Sequence, residues 1–307
     1  MPENSNKLSV KIAGVTFPNP VIAASGVYGN GECYTELYPI SKLGGISCKG
    51  MTINPKMGNP PPRIAETNSG ILNSVGLQNI GVHGFIEHYL PTLKRDGNVI
   101  IANVAGATID DYTAAAEALD PTDIDMIELN ISCPNVKEGG AAWGVTCEGA
   151  ASVTKAVRRA TKKPLIVKLT PNVTDITAIA KAVEAEGADA VSLINTLLGM
   201  RIDIRTRRPI LRNNMGGLSG AAVFPVAVRM VRQCYKAIKL PIIGMGGIST
   251  WEDAVEMMLA GASAIQMGTA IISDPYSPIK VIEGLAEYMD SSGIKSLSEI
   301  VGQCREW

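Results

Sequence analysis

Met126-Ile-Glu-Leu-Asn130-Ile-Ser-Cys133-Pro-Asn135 decides how the rest of the chain is read. Its first half is an apolar run of strand length. Its second half turns into amide, hydroxyl and thiol side chains and leads to the glycine-rich Lys137-Glu-Gly-Gly-Ala-Ala-Trp-Gly144. A buried strand has no use for such groups at its exit, whereas a reaction at the mouth of a barrel does. The stretch is predicted to be a strand that opens into a loop with a thiol at its base.

Seven further apolar runs of similar length occupy 21–25, 45–49, 99–103, 165–168, 190–195, 242–246 and 264–268, each closing on small or polar residues. They lack clean alternation, as parallel strands buried on both faces do. Helical patterns lie between most of them, at 111–119, 147–157 and 175–185, the last with a stop at Gly187. Eight strands joined by helical crossovers predict an α/β fold, a (β/α)8 TIM barrel in a single domain over 1–307. A short hairpin, 8–12 with 15–17, precedes it. The surplus falls into two insertions, 50–81 with a proline-rich hairpin at 55–64, and 196–221 with the loop Gly216-Gly-Leu-Ser-Gly220. Both leave strands at the C-terminal face, where barrel active sites are built.

The chain has 307 residues, 46% hydrophobic and 19% charged, the balance of a soluble domain with a large core. Its charge is 28 minus 29, or -1, so no net field draws it to nucleic acid or an anionic membrane. A small-molecule substrate is expected. The opening Met1-Pro-Glu-Asn-Ser-Asn-Lys is no secretory signal, and no run approaches the roughly 20 apolar residues of a membrane span, which predicts a cytoplasmic protein. Six cysteines (33, 48, 133, 147, 234 and 304) form no Cys-x-x-Cys pair, which argues against structural zinc or an iron-sulfur cluster held by this chain alone. They are expected as free thiols, and all but Cys133 as inert packing residues. His83 and His88 flank a presumed helix, fall at no strand end and are expected to be exposed or packing residues.

The strand ends present Ser25, Lys49, Asn103, Asn130, Lys168, Asn195, Gly246 with Gly247, and Gly268 with Thr269. Any one asparagine could merely cap a strand; the case rests on the set. Two lysines inside a sealed core would be costly, so they should meet an anionic or hydrogen-bonding ligand. The glycine loops after the last two strands, joined by Gly220, suit a phosphate, which leaves FMN and a sugar phosphate as candidates. Lys168 would stabilise the electron-rich edge of a reduced flavin or, in a sugar-phosphate barrel, form a Schiff base. Cys133 is either a packing residue or, once its thiolate is favoured, a general base on a mobile loop.

From 19 to 270 the chain resembles the dihydroorotate dehydrogenases, and among them the class 1B, NAD-linked catalytic subunits. The likeness is carried by Asn73-Ser-Val-Gly-Leu-Gln-Asn79, Asn130-Ile-Ser-Cys-Pro-Asn135 and Ile194-Asn-Thr196, with Gly244-Met-Gly-Gly-Ile248 in support. Cysteine rather than serine at the loop base resembles class 1, and Val136-Lys-Glu-Gly-Gly140 resembles class 1B. The resemblance implies oxidation of (S)-dihydroorotate to orotate in pyrimidine biosynthesis, with Cys133 taking the C5 proton and FMN the hydride. It implies substrate binding by Lys49, Asn73, Ser74, Val75, Gly76, Leu77, Asn130, Asn195 and Thr196, the Lys49 ammonium facing the carboxylate. It implies FMN contacts from Ser25, Lys49, Gly50, Asn103, Asn130, Lys168, Ile194, Gly220, Gly246, Gly247, Gly268 and Thr269. At Gly50 the chain departs from the several relatives that carry a hydroxyl residue there. Electrons would pass to a separate subunit holding FAD and a [2Fe-2S] cluster, and from it to NAD, in a heterotetramer built on a homodimer core of this chain. A fumarate-using class 1A enzyme, a dihydropyrimidine dehydrogenase-like FMN barrel, a tRNA dihydrouridine synthase and a non-catalytic barrel are the rival readings; the absence of a basic domain counts against the tRNA enzyme.

Overall fold

The computed structural model describes residues 7–132 and 143–307, so Cys133 and the segment 134–142 lie outside the described residues. In chain order the strands are β1 (Val10–Ile12), β2 (Val15–Phe17), β3 (Val21–Ala23), β4 (Gly45–Ser47), β5 (Ile64–Thr67), β6 (Gly70–Asn73), β7 (Ile100–Val104) and β8 (Met126–Asn130). They continue with β9 (Leu165–Lys168), β10 (Ala190–Leu193), β11 (Leu197–Gly199), β12 (Ile202–Asp203), β13 (Arg208–Pro209), β14 (Gly216–Ser219), β15 (Ile242–Met245) and β16 (Ala264–Met267). Eight of these close a parallel barrel in the order β3-β4-β7-β8-β9-β10-β15-β16. Each of the eight expected runs supplies one strand of this (β/α)8 barrel, and β1 pairs with β2 as the expected hairpin.

Helices form where local sequence and apolar face agree. Ile109–Leu119 opens with a capping box in which Thr108 Oγ1 accepts from the Asp111 N–H and the Asp111 carboxylate accepts from the Thr108 N–H. Its buried Tyr112, Ala115 and Leu119 share one core with the outward-facing Ile100, Ala102, Ile127 and Leu129 of β7 and β8. Thr146 caps Cys147–Ala160 and Asp175 caps Ile176–Ala185, which ends just before Gly187 as expected. His83 and His88 lie within the helix Gly81–His88, both exposed, rather than flanking it.

Inside the barrel, side chains alternate every second residue, which sorts them into layers. The layer at the strand beginnings is apolar: Ile22, Ile101, Met126, Ile166, Ala190, Ile243 and Ala264 pack with Ile12 and Phe17 of the hairpin, all buried. Two residues further along, five of these strands bring in Asn103, Glu128, Lys168, Ser192 and Gln266, and β4 adds Ser47, all buried. The barrel is plugged below and polar above.

The two insertions do not stand apart. Strands β11, β14, β6 and β5 form one antiparallel four-stranded sheet, with Leu218 opposite Leu72 and Gly217 opposite Asn73. Strands β6 and β14 approach closely at Gly70, where a Cβ would lie 2.0 Å from the Ser219 carbonyl oxygen. The expected proline-rich hairpin at 55–64 is not formed; antiparallel pairing starts only at Ile64 and turns at Asn68-Ser69. Pro55, Pro60, Pro61 and Pro62 have no N–H to give a ladder, which leaves this stretch one isolated bridge, Lys56 to Asn79. Among the described residues no helix is long and apolar enough to cross a membrane.

Candidate functional site

A cavity opens at the C-terminal ends of the barrel strands, beside the insertion sheet. From the barrel it is bordered by Ser25, Lys49, Gly50, Asn130, Lys168, Ile194, Asn195, Gly246, Gly247, Gly268 and Thr269. From the insertions come Asn73, Val75, Gly76, Leu77, Thr196 and Gly220. Two expected site residues do not border it, Asn103 and Ser74, both fully buried behind it; Cys133 lies outside the described residues. Leu77 has φ +55, a left-handed conformation that costs a leucine energy and that Gly76, at φ +74, shares. Gly50 is held small from beneath, since a Cβ there would come within 2.9 Å of Asn103 Oδ1.

The floor of the cavity is organised by a residue the sequence reading passed over. Glu128 is fully buried in the middle of β8, and four donors close on its carboxylate. Ser47 Oγ (2.7 Å) and Asn103 Nδ2 (2.5 Å) donate to Oε2; Ser192 Oγ and Gln266 Nε2 (2.7 Å each) donate to Oε1. The Lys168 ammonium stands 3.9 Å from Oε2 and is itself almost buried. Burial alone would raise the carboxyl; Lys168 and the bonds from Ser47, Ser192 and Asn103 outweigh it and hold Glu128 below the usual glutamate range. Lys168 therefore already has a protein counter-charge, which the expectation of an anionic ligand did not include.

Above this hub the amides are tied in series. Asn130 Nδ2 donates to Asn103 Oδ1 (3.2 Å), and Ser132 donates to Asn130 Oδ1 through both N and Oγ (3.3 and 3.1 Å). Asn195 Nδ2 donates to Ser132 Oγ and to the Ser132 carbonyl (2.8 and 3.1 Å), while Asn195 Oδ1 accepts from Thr196 N (2.8 Å). Tyr112 Oη donates to the Asn130 carbonyl at 3.0 Å, so the helix Ile109–Leu119 anchors the strand end. Asn172 clamps the exit toward the second insertion, donating to Thr196 O and accepting from Leu198 N.

A family model described as dihydroorotate dehydrogenase matches residues 7–289. This chain belongs to the dihydroorotate dehydrogenase family. It is thus an enzyme, an oxidoreductase. The chain is 58% identical over 297 residues to the "Dihydroorotate dehydrogenase B (NAD(+)), catalytic subunit" of Parabacteroides distasonis, covering 96% of this chain and 97% of that protein. The proteins of the same name from Bacteroides fragilis and Alkaliphilus metalliredigens are each 56% identical, over 296 and 295 residues, covering 96% of this chain and 98% of theirs.

For a dihydroorotate dehydrogenase the cysteine pattern divides as the fold dictates. Cys48 and Cys234 are buried, and burial raises the thiol of Cys48 and pushes that of Cys234 up to about 12, so neither supplies a thiolate near neutral pH. Cys33, Cys147 and Cys304 are exposed rather than packed as expected. Among the described residues no group of three or more histidine, cysteine or acidic side chains could hold a metal ion.

Of the residues missed, Glu128 left a usable signal. Met126, Glu128 and Asn130 occupy alternate positions of one strand, so a carboxylate had to share the face of the asparagine already singled out. Gln266 could be found the same way, two residues beyond Ala264. Asn172, and Ser219, which borders the cavity and accepts from Thr269 Oγ1 at 2.8 Å, lie outside the barrel strands and carried no such signal.

Proposed function

We propose that the chain is the FMN-binding catalytic subunit of an NAD-linked dihydroorotate dehydrogenase, oxidising (S)-dihydroorotate to orotate in pyrimidine biosynthesis. The observation that carries this reading is that one cavity borders both on the glycine-rich ends of β15 and β16 and on Lys49, Asn73, Asn130 and Asn195. A flavin phosphate and an anionic pyrimidine ring ask for these two kinds of surface.

The residues fit the cofactor. Gln266 Oε1 is buried without a hydrogen-bond partner among the described residues, and Gln266 borders the cavity, so a ligand donor is called for there. Gly247 has φ +80 and a Cβ on it would meet Phe224 at 2.7 Å, which keeps bare backbone at the expected phosphate end. Ser25, Gly220, Gly246, Gly268 and Thr269 would complete that end, and Lys168 would supply a cation to the electron-rich part of the reduced flavin. When bound, FMN would supply the acceptor for the C6 hydride.

The remaining work falls to the chain's own groups. Cys133 would take the C5 proton as general base. The Lys49 ammonium would pair with the substrate carboxylate, and the amides of Asn73, Asn130 and Asn195 with the ring's alternating C=O and N–H groups. Ser74, Val75, Gly76, Leu77 and Thr196 would shape that end of the site, Gly50 and Ile194 the flavin end, and Asn103 would act through Asn130. We read 1–307 as one cytoplasmic domain, paired as a homodimer within a heterotetramer whose other subunit carries FAD and a [2Fe-2S] cluster and passes electrons to NAD. Exposed Leu198, Met200, Ile202, Ile204 and Met215 on the second insertion offer an apolar surface for such assembly.

Anaerobic mixing of the purified protein with dihydroorotate tests this. Flavin absorbance should bleach, and adding NAD should restore it only with the partner subunit present. Cys133→Ala should keep its flavin and bleach roughly a hundred- to ten-thousandfold more slowly. A colourless protein that takes up no FMN contradicts the reading, and bleaching of Cys133→Ala at the wild-type rate removes the base assignment.

A further inference from the structure

The hydrogen bonds beneath the cavity run in one direction. Thr196 N–H donates to Asn195 Oδ1, Asn195 Nδ2 to Ser132 Oγ, Ser132 Oγ to Asn130 Oδ1, Asn130 Nδ2 to Asn103 Oδ1, and Asn103 Nδ2 to Glu128 Oε2. Every donor in the series points toward the carboxylate. An asparagine amide presents nearly the same shape either way round, so packing alone does not choose between the two orientations. An ionised carboxylate does choose, because it only accepts. Turning Asn103 over would set its carbonyl against Glu128 and its Nδ2 against that of Asn130, which the backbone N–H of Ser132 holds the same way round from the other end.

The four lone-pair positions of Glu128 are matched by four donors, from Ser47, Asn103, Ser192 and Gln266. Such a satisfied network is rigid and polarises along its length. The consequence is legible at the cavity. Asn130 Oδ1 has both lone pairs engaged by Ser132, which leaves this residue one Nδ2–H to offer a ligand. Asn195 is the reverse: both of its Nδ2 protons go to Ser132, and one Oδ1 lone pair remains.

We propose that Glu128 is the positioning residue of this site, an ionised carboxylate that touches no ligand but, through Asn103, locks Asn130 to face the cavity as a donor, beside Asn195, which Ser132 and Thr196 hold as an acceptor. The chemistry this selects is a ring with a carbonyl opposite Asn130 and an N–H opposite Asn195, as in a cyclic ureide or imide. A ring with the two groups exchanged meets donor against donor and acceptor against acceptor. The inference rests on the reading of the cavity as a flavin and pyrimidine site, and it adds the device that fixes its polarity.

Two substitutions separate this role from simple packing. Glu128→Gln keeps the shape and loses the charge and the acceptor-only character; Glu128→Asp keeps the charge and loses a methylene. Deflavinated protein is titrated with FMN, and the reconstituted protein with orotate, while thermal melting reports the fold. The expected result is at least tenfold weaker binding of both ligands in Glu128→Gln, with Glu128→Asp closer to wild type. Wild-type affinities in Glu128→Gln, with Glu128→Asp the weaker variant, would overturn the proposal in favour of packing. If Glu128→Gln does not fold, neutron diffraction on deuterium-exchanged wild-type crystals decides: Asn103 should turn its deuterated Nδ2 to an unprotonated Glu128, and a deuteron on the carboxylate or the opposite amide orientation refutes the inference. Failure of the wild-type chain to take up FMN sinks the flavin reading instead, while the neutron result still settles the direction of the series.

Discussion

The two layers of the barrel interior are built by the same strands, two residues apart, and could hardly differ more. Met126, Ile101, Ile166, Ala190 and Ala264 fill the lower one, closed by Ile12 and Phe17 of the hairpin. One step up, Glu128, Asn103, Lys168, Ser192 and Gln266 are as deeply buried and entirely polar. Burial is therefore not what divides them. The lower layer gains from removing apolar area from water, whereas the upper one is tolerated because each charge and nearly every polar atom has a partner. The exception is Gln266, which borders the cavity and whose Oε1 has no partner among the described residues, so a ligand donor there would complete the polar layer. The lower layer serves stability, and the upper one trades some of it for a preorganised site.

The largest way to break this contrast is to put a charge where no partner exists. Met126→Lys, on the same strand face as Glu128, should destabilise the protein by about 3–5 kcal/mol in urea denaturation, the scale of an uncompensated buried charge. A loss below about 1 kcal/mol would mean that the lower layer admits water. Next comes Lys168→Ala, which should weaken FMN by about 1.5–3 kcal/mol, the range for a hydrogen bond to a charged group, read by fluorescence titration of the flavin-free protein. Unchanged affinity would place the flavin elsewhere.

Acid should act on the upper layer alone. Since the folded-state pKa of Glu128 lies below its ordinary value, its ionised form favours folding above the unfolded carboxyl value of about 4.3, and this is lost as pH falls through the folded value. The stability difference between wild type and Glu128→Gln should thus shrink as the solution is taken from pH 5 downward. A gap that stays constant or widens contradicts an ionised Glu128. The smallest effect belongs to Ile12→Val, expected to cost about 0.5–1.5 kcal/mol of stability while FMN affinity stays within roughly twofold. A matching loss of affinity would show that the layers are coupled.

What was legible in the sequence follows from the same contrast. All eight barrel strands could be read because parallel strands covered on both faces are continuous apolar runs, and their ends gave Lys49, Asn130, Lys168 and Asn195. The shared insertion sheet could not, since Asn73 and Gly217 pair across a long sequence separation with no local pattern to announce it. Prolines suggested a hairpin at 55–64 in the one place where missing N–H groups prevent it. Glu128 escaped because a single acid in an apolar strand was read for its neighbours and not for its face.

The central claim is that cofactor and substrate share a single cavity, the one bordered by Lys49, Asn130 and Lys168. Titrating the FMN-loaded protein with orotate while following the visible flavin spectrum tests it most directly. A saturable spectral change at one orotate per chain, weakened in Lys49→Ala, is the predicted result. Orotate that binds without perturbing the flavin, or that perturbs it equally in Lys49→Ala, would contradict the account.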